Sequence, residues 1–277
     1  MPDNHSHPDH GPPSSAPAAR TTPTGPAAMF ARHFHDHLES FDDALVAQAP
    51  HEARMTPGAD VLDAEAFAER LAAFKTDRGC HDDRAAASQW SKWFFSRLII
   101  PTTVAQLATD QRLTCAWSDL AVAWHADATP RCFVVKAPYF KAGDGADLSA
   151  LIDALLCPFV EALTRYCRLS ARVFWSNAAM YYDWVVGELA RQGRIPADRV
   201  ALAAALLDAP TRPDGGFNPF DRAHRICKPG ALDGNDEPIV RCRRLCCMRD
   251  LDSKWGLCAN CPRVVHYDAA TPAAVGR

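Results

Sequence analysis

Four cysteines near the C-terminus, Cys246, Cys247, Cys258 and Cys261, stand in the stretch RCRRLCCMRDLDSKWGLCANCPR. The first two are adjacent, ten residues follow, and two residues separate the last two. Clustered thiols in a reducing compartment argue for metal before they argue for disulfides. Three chemistries compete. A structural zinc site draws thiolates from short C-x-x-C pairs that converge on one tetrahedral ion, which suits Cys258 and Cys261. Cys246 and Cys247 suit it poorly, because neighbours in extended backbone point to opposite sides. A [2Fe–2S] cluster relaxes that demand, since its four thiolate ligands are divided between two irons. A redox-active dithiol is the third reading, but it leaves the adjacent pair without a role.

The surroundings of the cysteines are basic. Residues 241–263 carry Arg241, Arg243, Arg244, Arg249, Lys254 and Arg263 against Asp250 and Asp252, in a chain of formal net charge −3. Such cations can stabilise an anionic cluster and steer an anionic partner; a solvated basic loop is the plain alternative. Arg243, three residues before Cys246, is the foremost candidate, with Arg244 beside it. Trp90, Trp93, Trp175 and Trp184 offer aromatic faces to a ligand, although their helical spacing equally suits a core. Asn177 follows Trp175 on an amphipathic stretch and needs a partner, either a backbone group or a ligand. His266 falls outside the ligand set, because four sulfurs complete it. If the cysteines serve only to pass electrons, no nucleophile or general base is required beyond the metal centre.

A mostly helical body must position these residues. Residues 1–27 are rich in Pro, Ser, Ala, Thr and His without apolar periodicity, and read as a disordered lead. Its His5, His7 and His10, and later His33, His35 and His37, offer no fixed geometry for a metal. Apolar spacings of three and four predict helices over MFARHFHDHLESFDDALVA, over LDAEAFAERLAAFKTDRG with Asp63 as cap and Gly79 as stop, and over SQWSKWFFSRLIIP. Pro101 there marks a break or kink. LTCAWSDLAVAWHADATPRCFVVKAPYF alternates about the turn ADATP and predicts a short β-hairpin. Helix resumes in DLSALIDALLCPFVEALTRYCRL, bent or restarted at Pro158. It continues in SARVFWSNAAMYYDWVVGELARQG, between a Ser170 cap and a Gly193 stop, and in PADRVALAAALLDAP.

Pro and Gly crowd residues 209–238, which read as a loop-rich linker. The expected order is therefore a lead (1–27), a mainly helical domain (28–208), the linker (209–238), a metal-binding segment (239–268) and a tail (269–277). The fold class is α+β, a predominantly helical body with a short β-hairpin and a small C-terminal segment. Apolar residues at 48% and charged residues at 23% are ordinary for a soluble protein. The charge balance gives no reason to expect nucleic acid as partner. No apolar run approaches the roughly 20 residues of a membrane span, and the first residues lack the pattern of a secretory signal, so the default location is the cytoplasm. Cys80, Cys115, Cys132, Cys157, Cys167, Cys227 and Cys242 are scattered and read as small buried hydrophobes.

The order CC-x10-C-x2-C resembles the C-terminal cluster motif of the FhuF family, the bacterial ferric siderophore reductases. RRLCCMRD is similar to that family's arginine-led approach to the paired cysteines, and LCANCPR to its closing turn. WSKWFFSRLIIP and RVFWSNAAMYYDW resemble its Trp-rich helix and its W-x-N-A helix, so the likeness covers roughly residues 85–265. It implies a [2Fe–2S] cluster on Cys246, Cys247, Cys258 and Cys261 that reduces the ferric iron of hydroxamate-type siderophores. It implies a cytoplasmic protein, with peripheral association with the inner membrane left open. The N-terminal region of the family is also similar to part of the siderophore synthetases, which suggests a fold suited to siderophore-shaped ligands. Reduction would release the metal, because hard oxygen ligands hold ferrous iron far more weakly than ferric. Four thiolates without histidine favour a strongly reducing cluster, near about −400 mV in plant-type ferredoxins. Neither a G-x-G-x-x-G nor a P-loop is present, so the electron must come from a separate donor protein.

Overall fold

A computed structural model of the chain describes residue 30 and residues 32–135, 140–227, 240–258 and 260–263. The expectations for the lead, for the later part of the linker, for His266 and for the tail fall outside these residues. The helices are α1 (Gly58–Val61), α2 (Ala64–Arg78), α3 (Asp83–Thr109), α4 (Cys157–Cys167), α5 (Ala171–Gln192) and α6 (Ala197–Ala205). The strands are β1 (Leu45–Val46), β2 (Arg54–Pro57), β3 (Gln111–Leu113), β4 (Leu120–Trp124), β5 (Pro130–Val135), β6 (Phe140–Ala142), β7 (His224–Cys227) and β8 (Val240–Arg243). The fold is α+β and predominantly helical.

α3 is the axis of the molecule. Asp82 starts it by accepting hydrogen bonds from the backbone N–H groups of Arg84 and Ala85, and Asp110 ends it with φ 54°. Between these caps, residues on every side are buried, from Ala85 through Trp90, Phe94 and Leu98 to Leu107. A helix apolar all round belongs in an interior. α5 packs along it, held between the Ser170 cap and Gly193 at φ 62°. A four-stranded sheet in the order β1-β5-β4-β2 closes another side, with β1 parallel to β5 and the other pairs antiparallel. Phe94 joins the layers: its ring stacks on Phe159 of α4 at 3.9 Å and meets Phe133 of β5 edge-on at 5.2 Å.

Two expectations need correction. Pro101 does not break α3, which runs through it, because Ile99, Ile100, Pro101 and Thr102 are all buried. Packing there outweighs the cost of a proline in a helix, about 3 kcal/mol. The first expected helix is a 3₁₀ segment at Asp36–Phe41, followed by strand β1. Its apolar spacing still buries Phe34, Leu38 and Phe41, so the pattern chose the inward side chains without fixing the backbone. Pro158 stands where a π-helical stretch over Leu151–Leu156 gives way to α4.

β7 and β8 form an antiparallel hairpin that delivers the chain to the cysteines. The segment before it packs on the body: Asn218 and Phe220 are fully buried, and Phe220 stacks on Tyr182 of α5. No helix among the described residues is long and apolar enough to cross a membrane.

Candidate metal centre

The cysteine segment docks against the N-terminal half of α3. The Ser88 hydroxyl donates to the backbone oxygen of Cys247 at 2.6 Å. One turn further, Lys92 Nζ donates to Cys247 Sγ at 3.2 Å and to Gln89 Oε1 at 3.1 Å. Cys247 Sγ lies 3.7 Å from Cys258 Sγ, and Cys247, Cys258 and Cys261 form a small buried cluster of their own with Leu257 against it. Cys246 is half-buried.

The backbone shapes this loop around sulfur. Met248 takes the left-handed conformation, φ 55°, which is uncommon for a residue with a side chain. Its N–H donates to Cys246 Sγ at 3.3 Å, and the N–H of Arg263 approaches Cys261 Sγ at 3.5 Å. The Cys261 N–H bonds the Cys258 carbonyl oxygen at 3.0 Å, closing the C-x-x-C turn.

Charge separates Cys247 from the structural cysteines. Burial pushes the thiols of Cys80, Cys115, Cys132 and Cys167 up to about 12, and no disulfide joins them. Cys247 goes the other way. The Cys258 thiol donates to it, and the positive charges of Lys92 and Arg243 hold it well below the usual thiol range. A thiolate is the form that binds metal. Among the described residues no three His, Cys, Asp or Glu side chains gather in the manner of a site for one metal ion.

Arg243 and Asn177, both singled out in the sequence, meet beneath the cysteines. Asn177 is fully buried; its Nδ2 donates to the Ser88 carbonyl oxygen at 3.1 Å and lies within 3.1 Å of both the Ser88 and Ser91 hydroxyls. Its Oδ1 accepts from Arg243, which is 2% exposed and also reaches Ser176 Oγ at 3.5 Å. One amide thus ties α5, α3 and β8 together. The Arg243 Nε is buried and meets no acceptor among the described residues, as expected where a guanidinium faces a group still to be supplied.

Arg244 and Trp175 lie elsewhere, in a cleft of about 540 Å³ that reaches Leu245, the residue before Cys246. Trp93 is half-buried below the Arg78 guanidinium, 5.2 Å from its ring centre. Trp90 is core, with its indole N–H donating to the Ala128 carbonyl oxygen. The basic run is largely engaged: Arg249 is buried, Arg263 pairs with Asp250, and Lys254 donates to the carbonyl oxygen of Arg78. Sequence reasoning missed Lys92 and Ser88. Only the spacing of Ser88, Ser91 and Lys92 at three and four residues on one helix marks them.

The residues present suit a thiolate-bound anionic group: four cysteines, two backbone N–H groups aimed at sulfur, an ammonium on one sulfur and an orphaned guanidinium nitrogen. A comparison with curated proteins finds no match. The family described as ferric iron reductase FhuF-like transporter matches residues 88–230, more than half of the chain, and its match ends before the cysteine segment. With most of α3, strands β4 and β5 and the whole of α5 inside that match, the chain belongs to the FhuF-like ferric iron reductase family.

Proposed function

We propose that the protein is a ferric siderophore reductase in which Cys246, Cys247, Cys258 and Cys261 hold a [2Fe–2S] cluster. The observation that carries this reading is the buried approach of Cys247 and Cys258, 3.7 Å apart with Lys92 on one sulfur, in a chain of a ferric iron reductase family. When bound, such a cluster supplies single electrons, which is what converts ferric to ferrous iron in a docked complex.

The chain's own residues do the rest. Lys92 and Arg243 hold positive charge against the thiolates and so favour the more reduced, more negative state. The N–H groups of Met248 and Arg263 add partial positive charge at Cys246 and Cys261. Burial of Cys247, Cys258 and Cys261 keeps water from those sulfurs, while half-buried Cys246 brings the centre near the surface. The electron donor is a separate protein and the acceptor a ferric siderophore, with hydroxamate ligands the expected class. Release follows because ferrous iron is held weakly by hard oxygen donors. The site is cytoplasmic on this reading, and a peripheral position at the inner membrane is compatible with it.

Protein purified without oxygen should be reddish-brown, bleach with dithionite, and, once reduced, convert a ferric hydroxamate in a single turnover. Serine at any of the four cysteines should remove colour and turnover together. A colourless, zinc-stoichiometric protein would falsify the cluster and favour a zinc-stabilised binding protein. A coloured protein that leaves the ferric complex oxidised would instead be an iron–sulfur sensor or a siderophore carrier.

A further inference from the structure

The cleft beside the cysteines has a chemical character of its own. It is lined by Arg172, Arg222 and Arg244 with one acid, Asp221, and by Trp175 and Phe217. At about 540 Å³ it lies within the range of small-ligand sites. Phe217 leaves 77% of its surface exposed, a large apolar face turned to solvent. Trp175 is half-buried and meets Phe220 edge-on at 6.1 Å, which fixes its ring as a wall.

The arginines differ in how far they are engaged. Arg222 Nε stands 3.7 Å from Asp221, and the pair largely cancels. Arg244 spends one nitrogen, Nε, on the His224 carbonyl oxygen at 3.0 Å, which leaves its terminal nitrogens for another group. The Arg172 guanidinium has no partner among the described residues. Two guanidinium groups therefore face a cleft with an aromatic wall, and the chain from Arg244 passes through Leu245 directly into Cys246. Guanidinium forks match carboxylates in a bidentate way.

We infer that this cleft docks a ferric complex of net negative charge, one whose ligand carries a carboxylate besides its hydroxamates, with Arg172 and Arg244 on the carboxylate and Trp175 and Phe217 on the ligand's apolar face. The inference rests on the reductase reading for its substrate and refines it from siderophores in general to a charge class. Uncharged trihydroxamate complexes lack the group the two arginines would hold, and complexes with a free ammonium meet repulsion.

Gallium(III) complexes test docking without electron transfer, because gallium(III) keeps the size and charge of ferric iron and is not reduced. Whole protein, with its metal, is titrated by intrinsic fluorescence with three gallium complexes: a citrate–dihydroxamate (anionic), a cyclic trihydroxamate (neutral) and a linear trihydroxamate with a free amine (cationic). The expected order is anionic, neutral, cationic, with about a tenfold preference for the first over the second, the size of effect a pair of partly exposed charges gives. That preference should weaken in high salt. R172Q/R244Q should abolish it by weakening the anionic complex alone, R172K should keep only part of it because lysine retains the charge without the fork, and F217A should weaken anionic and neutral complexes alike. Equal binding of the anionic and neutral complexes, or an unchanged preference in R172Q/R244Q, overturns the inference. Both arginines are surface groups, so these variants should fold, and an unchanged visible spectrum verifies it. Docking of the anionic gallium complex by a protein that fails to reduce the ferric counterpart supports the cleft and overturns the reductase reading instead.

Discussion

Lys92 places an ammonium 3.2 Å from the Cys247 sulfur, with its charged end deep among protein atoms even though the residue as a whole is only half-buried. Burial lowers its pKa and the neighbouring thiolates oppose that shift. A cation beside the centre stabilises the state carrying more negative charge. Lys92→Met should therefore retain colour but lower the midpoint potential, on the order of 60 mV if the charge is worth a tenfold change in the one-electron equilibrium. Lys92→Arg should keep most of the potential. A mediated redox titration decides it, and an unmoved midpoint in Lys92→Met would deny Lys92 any electrostatic part. Cys132 is the counter-case: it is buried, its thiol is pushed up to about 12, and Cys132→Ala should leave the visible spectrum unchanged. Lys92 was not legible in the sequence because it is 155 positions from Cys247, and local spacing carries no information across that separation. Arg243 was legible because it lies three residues from its cysteine, and Asn177 because a polar side chain on an apolar helix face demands a partner.

Elements meet at Asn177. Removing its amide leaves the buried Arg243 with only the longer contact to Ser176 Oγ and takes one of two side-chain donors from the Ser88 carbonyl oxygen. Asn177→Ala should cost about 2 kcal/mol or more, since each unsatisfied buried polar group costs about 1–3 kcal/mol and charged ones more. Denaturant unfolding measures this, and a loss under about 0.5 kcal/mol, the range of an ordinary surface substitution, would show the junction to be dispensable. A second junction is Asp252. Its carboxylate accepts from the His81 N–H at 2.8 Å, from the Cys80 thiol and from the Lys254 N–H, which pull its pKa from 3.8 down to about 2, the His81 bond most. A depressed carboxylate pKa stabilises the fold fully above 3.8 and loses that contribution as pH falls through about 2. Wild type should therefore exceed Asp252→Asn in stability at neutral pH, and the two acid-unfolding curves, followed by tryptophan emission, should converge near the lower value. A gap that persists at that acidity would assign the role of Asp252 to something other than its charge. The helix ends at Asp63, Gly79, Ser170 and Gly193 could be read from sequence because capping is local chemistry. β1 and β2 could not, since two and four residues gain their conformation from β5 and β4, which lie far along the chain.

At the scale of the molecule, the sequence supports the division into a helical body and a cysteine segment, while the way the two are joined emerges only in three dimensions. The segment touches the body through Arg243 on α5, through Cys247 on α3, through Asp252 and Lys254 at the α2–α3 connection, and through Trp255, whose ring lies 6.4 Å from that of Phe74. These anchors run from Arg243 to Trp255, and Asn260 Nδ2 adds a contact to Met180 Sδ of α5 at 3.3 Å, so the described part of the segment is fastened to the body at several points along its length. Of the basic run, Arg243 and Lys254 are spent on the seam, Arg263 pairs with Asp250 within the segment, and Arg244 faces the neighbouring cleft.

That seam bears on how the protein can be cut. A fragment ending at Cys227 would strip the acceptor from the Ser88 hydroxyl and the guanidinium from the Asn177 oxygen, wetting a face built to be dry. Such a truncation should melt well below the full-length chain, whereas the excised tail, deprived of its backing helices, should be a shapeless peptide even when iron and sulfide are offered to it. The two halves would then be obligate companions in folding.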